Sequence, residues 1–226
     1  MQPMLETQAL LARAIRRDFA GRIALVSSFG AESAVLLHLV AQVDRATPVI
    51  LIDTGKLFAQ TLAFRQRLAA ELGLADVRHA GPRPEALAAG DPDGRLHASD
   101  ADACCRLRKV APLAEALGPF AAWISGRRRA QGGERAALPL VETDGQGRTR
   151  LNPLAFWEDH HMADYARAFD LPEHPLLAHG YRSIGCAPCT RPVAPGEHAR
   201  AGRWAGTAKT ECGIHWTPEG PRRVAA

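Results

Sequence analysis

The chain has 226 residues, of which 46% are hydrophobic, and a formal net charge of +4. This length suits one α/β domain with a substantial core, and no apolar run is long enough to span a bilayer, so we expect no membrane partner. The mild positive charge favours a small polyanion as ligand over nucleic acid, because the sequence has no RNA- or DNA-binding motif and no aromatic stacking stripe.

Strand and helix patterns alternate after an N-terminal helix, which predicts a parallel sheet flanked by helices. Residues 1–20 form an amphipathic surface helix whose charges interrupt any signal-peptide core, so we expect a cytoplasmic protein. The predicted strands are Arg22–Ser27, Pro48–Ile52, Asp76–Ala80 and Ala121–Ser125. The predicted helices run from the turn at residues 28–33 to about Val43, from Leu57 to about Leu72, from Arg106 to Leu117 and from Glu158 to Phe169. Prolines and glycines predict a loop-rich stretch over residues 81–102 and irregular structure from Leu171 onward.

The turn after the first predicted strand, Ser27–Ser33, suits a phosphate group. Backbone N–H groups at the start of a helix, with small residues and serine hydroxyls, attract anions. The turn is not a Walker loop, because the Gly-Lys-[Ser/Thr] ending is missing, and a structural turn with an N-capping serine is the alternative. Asp53-Thr-Gly55 follows the second strand, and ligands of open α/β sheets collect at the carboxyl ends of strands. Together the two segments favour a nucleotide pocket.

Five cysteines form a pair, Cys104-Cys105, a short loop, Cys186-Ala-Pro-Cys189, and a lone Cys212. Cytoplasmic thiols stay reduced, so clustered cysteines indicate metal or redox chemistry rather than disulfides. Four thiolates can hold a metal centre, and the fifth is left free to react. Buried inert cysteines, a Cys₄ zinc site and an iron–sulfur cluster are the three interpretations. Zinc usually draws on two Cys-x-x-Cys knuckles, so the adjacent pair favours the cluster. Lys109 shares a helix face with Cys105 and would offset the charge of such a cluster.

The two cysteine motifs occur together with a terminal Glu211-Cys-Gly-Ile-His215. Further segments of the same pattern are Ser27-Ser-Phe-Gly-Ala-Glu32, Leu51-Ile-Asp-Thr-Gly55, Gly126-Arg-Arg-Arg-Ala-Gln131 and Arg200-Ala-Gly-Arg-Trp204. In this order and combination, from about residue 20 to 216, the chain resembles the assimilatory adenylyl-sulfate reductases, within the wider family of phosphoadenylyl-sulfate reductases.

The resemblance implies a fold like that of the adenine nucleotide α-hydrolases, related to the pyrophosphatase-loop enzymes. It implies one [4Fe–4S] cluster per chain and the reduction of adenylyl sulfate to sulfite and AMP, with thioredoxin as electron donor and a cysteine S-sulfonate as intermediate. Residues 1–204 would form one α/β domain that binds the sulfonucleotide and the cluster, and residues 205–226 a flexible tail that carries the reactive cysteine. The family also suggests a homo-oligomer, either dimer or tetramer.

The resemblance also implies roles for individual residues. Cys212 would be the nucleophile, and Lys109, Arg200 and Arg203 would assist it by binding the phosphosulfate. The implied cluster ligands are Cys104, Cys105, Cys186 and Cys189. The implied substrate-binding residues are Ser27, Ser28, Phe29, Gly30, Asp53, Thr54, Gly55, Arg128, Arg135 and His215.

Other functions compete with this one. A reductase of the 3′-phosphorylated substrate, or one of dual specificity, would share the same motifs, although family members with all four cluster cysteines generally take the substrate without the 3′-phosphate. A tRNA-thiolating enzyme would want a Ser-Gly-Gly-x-Asp-Ser loop, which residues 28–33 lack. A non-catalytic iron–sulfur redox sensor would leave Asp53-Thr-Gly55 and Cys212 without a task. Release of sulfite from adenylyl sulfate separates these functions.

Overall fold

The structure is a computed structural model that describes residues 2–207 and 209–213. Six strands form one sheet in the order β3-β2-β1-β4-β6-β5. Neighbouring strands run parallel except β5, which is antiparallel to β6. The strands are β1 (Ile23–Ser27), β2 (Val49–Ile52), β3 (Val77–Ala80), β4 (Ala122–Ser125), β5 (Val141–Thr143) and β6 (Thr149–Leu151). The predicted parallel α/β sheet is therefore confirmed, with each predicted strand shifted by one residue at most.

The hairpin of β5 and β6 was not predicted from the sequence. Each of its strands has three residues, which is too short to show an alternating pattern. The turn between them is built on Asp144, whose Oδ1 accepts hydrogen bonds from the backbone N–H groups of Gln146 at 2.9 Å and Arg148 at 3.0 Å. Such an Asx turn closes the hairpin and lets β6 extend the parallel sheet beyond β4.

Helices cover both faces of the sheet. They are α1 (Gln2–Arg13), α2 (Ser33–Val43), α3 (Ala59–Leu72), α4 (Pro84–Gly90), α5 (Leu96–Ser99), α6 (Ala101–Cys105), α7 (Ala111–Ala116) and α8 (Asp159–Ala168). One π-helical turn, Ala14–Asp18, continues α1, and another, Arg106–Val110, joins α6 to α7. The prediction of a loop-rich stretch over residues 81–102 was wrong, because this stretch contains α4 and α5. Both helices lack buried residues and so carry no apolar stripe that would reveal them in the sequence.

Alternate side chains of the central strands enter two apolar clusters, as the two-residue period of a strand requires. Leu25 and Ile124 pack with the helices α1, α2, α3 and α8 on one face. Ile50 and Trp123 pack with α7 on the other face. Strands that are buried on both faces read as continuous apolar runs, which is why β2 is apolar throughout.

The strand order reverses between β1 and β4, because β1 pairs with β2 on one side and with β4 on the other. In open α/β sheets, ligands bind in the crevice outside the carboxyl ends of strands at such a reversal. Ser27 ends β1 and Ser125 ends β4, so these residues mark the crevice. Within the described part of the chain, no helix is both long and apolar enough to cross a membrane.

Candidate active site

The cysteine pair lies at the end of α6, which begins beside Asp100. The carboxylate of Asp100 accepts a hydrogen bond from the backbone N–H of Ala103 at 2.8 Å and thereby caps the helix. Cys104 and Cys105 are both buried, and the π-helical turn that follows carries Lys109. The predicted helix from Arg106 therefore begins five residues earlier and includes the cysteine pair.

The Cys186–Cys189 loop is fixed to the segment that follows β2. Cys186 forms an antiparallel bridge with Leu57, and the backbone N–H of Ala187 donates to the carbonyl of Lys56 at 2.8 Å. The hydroxyl of Thr54 lies 3.2 Å from the sulfur of Cys186. The loop that carries two cysteines therefore contacts Thr54, which was predicted to line the nucleotide pocket, and the two residues Lys56 and Leu57 that follow the predicted Asp53–Gly55 segment.

All five thiols lie in one region of the molecule. Cys105 and Cys212 pack together with Trp204, and Cys189 lies against the same cluster. Burial raises the pKa of the Cys105 thiol to about 11, against the nearby charge of Lys109. Burial also raises the pKa of Cys104, and the neighbouring Cys186 and Cys189 raise it further. The fold thus brings the two distant cysteine motifs and the lone cysteine side by side.

Lys109 lies among these sulfur atoms. Burial alone would lower the pKa of its ammonium group, but the thiolate charges of Cys186, Cys212 and Cys105 raise it, and the net shift is upward. The side chain therefore keeps its positive charge next to Cys212. A charged ammonium in this position favours the thiolate form of its neighbours and any anion that approaches them.

The four paired cysteines suit an iron–sulfur cluster in the chemistry of their donors, since all are free thiols and three of the four are buried. The described residues contain no group of three or more His, Cys, Asp or Glu side chains arranged around a single metal ion. A [4Fe–4S] cluster takes four cysteine thiolates as ligands, and the two cysteine motifs supply that number of donors.

The turn after β1 is stabilised by a hydrogen bond between two of its own residues. The hydroxyl of Ser27 accepts a hydrogen bond from the backbone N–H of Phe29 at 3.1 Å, and Phe29 itself has a positive φ of 47°. The Phe29 side chain is fully buried in the core, so it does not face the crevice. Gly30 lies so close to the carbonyl of Ile184 that a Cβ would approach it to 3.2 Å. Helix α2 begins after this turn with Glu32 at the N-cap and no side-chain cap, contrary to the alternative of an N-capping serine within Ser27–Ser33.

The segment Asp53–Gly55 after β2 is held by a buried ion pair. Arg108 donates to the carboxylate of Asp91 at 2.6 Å and 2.9 Å and to the carbonyl of Thr54 at 2.8 Å. The side chain of Asp91 is completely buried, and that of Arg108 is 7% exposed. The carboxylate of Asp53 accepts from the backbone N–H of Gly55 at 3.0 Å, which shapes the turn. The pocket wall and the cysteine helix are therefore joined through Arg108.

Two of the predicted anion-binding arginines share one carboxylate. Glu211 accepts hydrogen bonds from Nε and Nη2 of Arg135 at 2.6 Å and 2.7 Å, and from Nη2 of Arg200 at 3.0 Å. Glu211 directly precedes Cys212 in the chain, so these contacts hold the segment of the predicted nucleophile beside the two arginines. His215, which was also predicted to bind substrate, lies outside the described residues.

Arg203 packs against Trp204, with its guanidinium carbon 4.5 Å from the ring centroid. A Cβ on Gly185 would overlap with the guanidinium of Arg203, so the guanidinium occupies the space that the glycine leaves open. In the described part of the chain, Nε of Arg203 is buried without a hydrogen-bond partner. A buried donor without a partner is costly, and an anionic ligand would satisfy it.

Arg128 lies in a network of side chains apart from the thiols. Its guanidinium, 2% exposed, donates to the carbonyl of Trp157 at 2.9 Å and pairs with Glu32 and Asp159. Its role in substrate binding stays a prediction. The structure gives it the contacts of a residue that links the start of α2 to the start of α8.

Several residues of the site were not found from the sequence. Asp91 lies within Asp91-Pro-Asp-Gly94, a pattern typical of a turn, and its partner Arg108 is seventeen positions away. Glu142 pairs with both Arg127 and Arg150. No periodicity or short motif links such partners, because their contact depends on the folded sheet.

Comparison with known proteins agrees with this architecture. The family model of the phosphoadenosine phosphosulfate reductase domain matches residues 22–192. An adenosine 5′-phosphosulfate reductase from Mesorhizobium japonicum is 56% identical over 211 residues, covering 93% of this chain and 83% of the relative. A phosphoadenosine 5′-phosphosulfate reductase from Gloeobacter violaceus is 40% identical over 215 residues, covering 93% and 89%.

Among solved structures, the phosphate complex of a phosphoadenylyl-sulfate reductase from Candida auris is similar to this chain with a TM-score of 0.69 and 28% sequence identity. The match covers 82% of this chain and 90% of that structure. The similarity extends through most of both chains, including the parallel sheet and its helices.

Proposed function

The chain belongs to the phosphoadenosine phosphosulfate reductase family and is an oxidoreductase of sulfonucleotides, and we propose that it reduces adenylyl sulfate to sulfite and AMP. The observation that carries the proposal is the position of Cys212, which packs against Cys105 while the charged Lys109 lies among the thiols. A nucleophilic sulfur, a fixed cation and a nearby arginine cluster are the groups needed to transfer a sulfonyl group between anions.

In the first step the Cys212 thiolate attacks the sulfur of adenylyl sulfate. A sulfur–sulfur bond forms, the bond between that sulfur and the bridging oxygen breaks, and AMP leaves with the electron pair. The enzyme is left as a cysteine S-sulfonate. Negative charge develops on the bridging oxygen and on the transferred group, and Lys109, Arg200 and Arg203 would stabilise it electrostatically.

In the second step a dithiol reductant regenerates Cys212. One thiolate of the reductant attacks the Cys212 sulfur and expels sulfite, and the second thiolate resolves the mixed disulfide, so two electrons pass from the dithiol to the sulfonate. We assign the dithiol to thioredoxin and place the reaction in the cytoplasm, where thiols remain reduced. We also infer a homo-oligomer, either a dimer or a tetramer.

The nucleotide would lie in the crevice beyond β1 and β2. Backbone groups of Ser27, Ser28 and Gly30 would face the α-phosphate, and Asp53–Gly55 would line the adenosine pocket. Cys104, Cys105, Cys186 and Cys189 would hold a [4Fe–4S] cluster, which when bound adds a fixed negative charge beside Lys109. Protein purified without oxygen should then be brown and contain about four irons and four inorganic sulfides per chain.

An anaerobic assay of sulfite release tests the proposal, with reduced thioredoxin and each sulfonucleotide in turn. We expect kcat/KM to be higher for adenylyl sulfate than for its 3′-phosphorylated analogue, because the four paired cysteines are complete. A clear preference for the 3′-phosphorylated form would assign the activity named for the Gloeobacter violaceus relative instead. Absence of sulfite with both nucleotides would overturn the proposal and leave a tRNA-thiolating enzyme or a redox sensor.

A further inference from the structure

The carboxylate of Glu211 is bound in the way that an oxyanion ligand would be. Arg135 contacts both of its oxygens through the parallel fork of Nε and Nη2, and Arg200 donates a third hydrogen bond. This bidentate fork is the geometry by which arginine recognises carboxylate, sulfate and phosphate alike. The side chains of Glu211 and Arg135 are 13% and 11% exposed, so the contact is mostly shielded from water.

Positive charge exceeds negative charge around this contact. Burial lowers the pKa of Arg200, and the charges of Arg135 and Arg203 lower it further. Arg127, whose pKa the charge of Arg135 helps to lower, already pairs with Glu142, which Arg150 also contacts. The monovalent Glu211 therefore balances only part of the charge on Arg135 and Arg200, and a divalent anion would balance more of it.

The chain ties Glu211 to the reactive sulfur. Cys212 is the next residue and is buried beside Cys105 and Trp204. Arg200 also donates to the carbonyl of Thr210 at 2.9 Å, so one guanidinium holds two consecutive residues of this segment. Because neighbouring Cα atoms are about 3.8 Å apart, any displacement of the Glu211 backbone from the arginines also moves Cys212.

We propose that Glu211 is an internal anion that occupies the Arg135–Arg200 pair in the ligand-free protein, and that a divalent oxyanion displaces it and thereby releases Cys212 from its buried position. Glu211 is thus a positioning residue for Cys212. The proposal rests on the proposed function only for the identity of the natural anion, which would be the phosphosulfate group of the substrate. The charge and geometry of the contact apply equally to inorganic sulfate.

The test measures how fast iodoacetamide alkylates Cys212 in the intact protein without oxygen. Trypsin cleaves after Lys209, so the peptide that begins at Thr210 reports Cys212 separately from the other four cysteines. Sodium sulfate is added at constant ionic strength, with sodium chloride as the balancing salt. We expect saturating sulfate to raise the alkylation rate of the wild-type protein about fivefold or more, the lower end of typical coupling between two binding events.

Two variants distinguish the role of the Glu211 carboxylate from that of the arginines. Glu211→Gln should react faster than wild type without sulfate and respond little to it. Arg135→Gln should also react faster without sulfate, and it should lose the response because the anion fork is gone. Glu115→Gln is the matched control, since it makes the same change at the exposed Arg83–Glu115 pair. It should behave like wild type.

The proposal is overturned if sulfate leaves the wild-type rate unchanged or lowers it, or if Glu211→Gln reacts as slowly as wild type. The wild-type response needs no variant, so a folding defect in a variant cannot decide the outcome. Alkylation also needs no turnover. A sulfate response in a protein that reduces neither sulfonucleotide would overturn the proposed function alone, whereas a reductase without a sulfate response would overturn only this inference.

Discussion

The central sheet and the C-terminal segment from Pro175 to Gly213 are stabilised in different ways. In the sheet, the central strands β2, β1 and β4 each form backbone ladders with two neighbours and bury apolar side chains on both faces. In the C-terminal segment, the isolated bridges Leu57–Cys186 and Thr190–Arg203 combine with ion pairs such as Arg135–Glu211. Apolar burial does not respond to a ligand's charge, whereas arginine–carboxylate contacts do. The comparison shows that the sheet is held mainly by apolar burial and backbone ladders, whereas the C-terminal segment, which contains the proposed nucleophile, depends more on charged contacts.

The largest expected effect is a loss of activity without a loss of stability, at Cys212. Cys212→Ser should lower the rate of sulfite release by about 10³-fold or more, because a hydroxyl is a far weaker nucleophile and cannot be resolved by a dithiol. The free energy of unfolding and the iron content should stay close to wild type, since Cys212 is not one of the four paired cysteines. Sulfite assays, denaturant titration and iron analysis measure the three quantities.

Mass spectrometry of the wild-type protein provides the complementary result. Mixed with adenylyl sulfate but no reductant, the protein should gain one sulfonate group on the peptide that begins at Thr210. If the sulfonate were found on Cys105 instead, or if Cys212→Ser kept full activity, the division between one reactive and four paired cysteines would be wrong.

A substitution in the core of the sheet should have the opposite effect and lower stability while leaving activity nearly unchanged. Leu25 is fully buried and lies between β2 and β4 in the sheet. Leu25→Ala should lower the free energy of unfolding by about 2–5 kcal/mol, because it removes buried apolar contacts and leaves a cavity. The activity per folded molecule should hardly change. Leu5→Ala, at a leucine that is 59% exposed, is the control and should stay within about 0.5 kcal/mol of wild type.

The difference between apolar burial in the sheet and charged contacts in the site also determined what could be predicted from the sequence. The strands β1 to β4 and the helices α2 and α3 were predicted because apolar periodicity reports burial directly. Helices α4 and α5 were not, since they bury no side chain. In the site, motif resemblance supplied the cysteines and the arginines as a set. It did not supply the pairing of Glu211 with Arg135 or of Asp91 with Arg108, because such contacts depend on the distance between remote segments in the folded chain.

A glycine in the C-terminal segment offers a test of intermediate size. The Cβ of Gly185→Ala would overlap with the guanidinium of Arg203, which lies at the end of a flexible side chain and can move away. We therefore expect the free energy of unfolding to fall by only about 1 kcal/mol. The kcat/KM for adenylyl sulfate should fall about tenfold, because the displaced guanidinium no longer meets the phosphosulfate.

Gly147→Ala is the control for Gly185→Ala, because a Cβ there would meet no atom within 4 Å, although its positive φ of 79° adds some strain. It should affect stability and leave kcat/KM unchanged. If the two variants lost activity to the same degree, the role assigned to Arg203 would not hold.

The smallest expected effect lies where the two regions meet. His174 is 1% exposed and its Nε2 lies 3.0 Å from the hydroxyl of Thr61 on α3. Burial lowers the pKa of His174 from 6.5 to about 4, so the folded protein keeps this ring neutral. Below pH 6.5 the unfolded chain binds a proton that the folded chain does not, and stability present above pH 6.5 is lost as the pH falls toward 4. The free energy of unfolding should fall by about 1.4 kcal/mol for each pH unit in that window because of this residue. Denaturant titrations at pH 7 and pH 5.5 measure the loss, and in His174→Gln the difference between the two pH values should shrink by that amount. An unchanged difference would show that the contact between Thr61 on α3 and His174, the residue before the C-terminal segment, does not depend on a neutral imidazole.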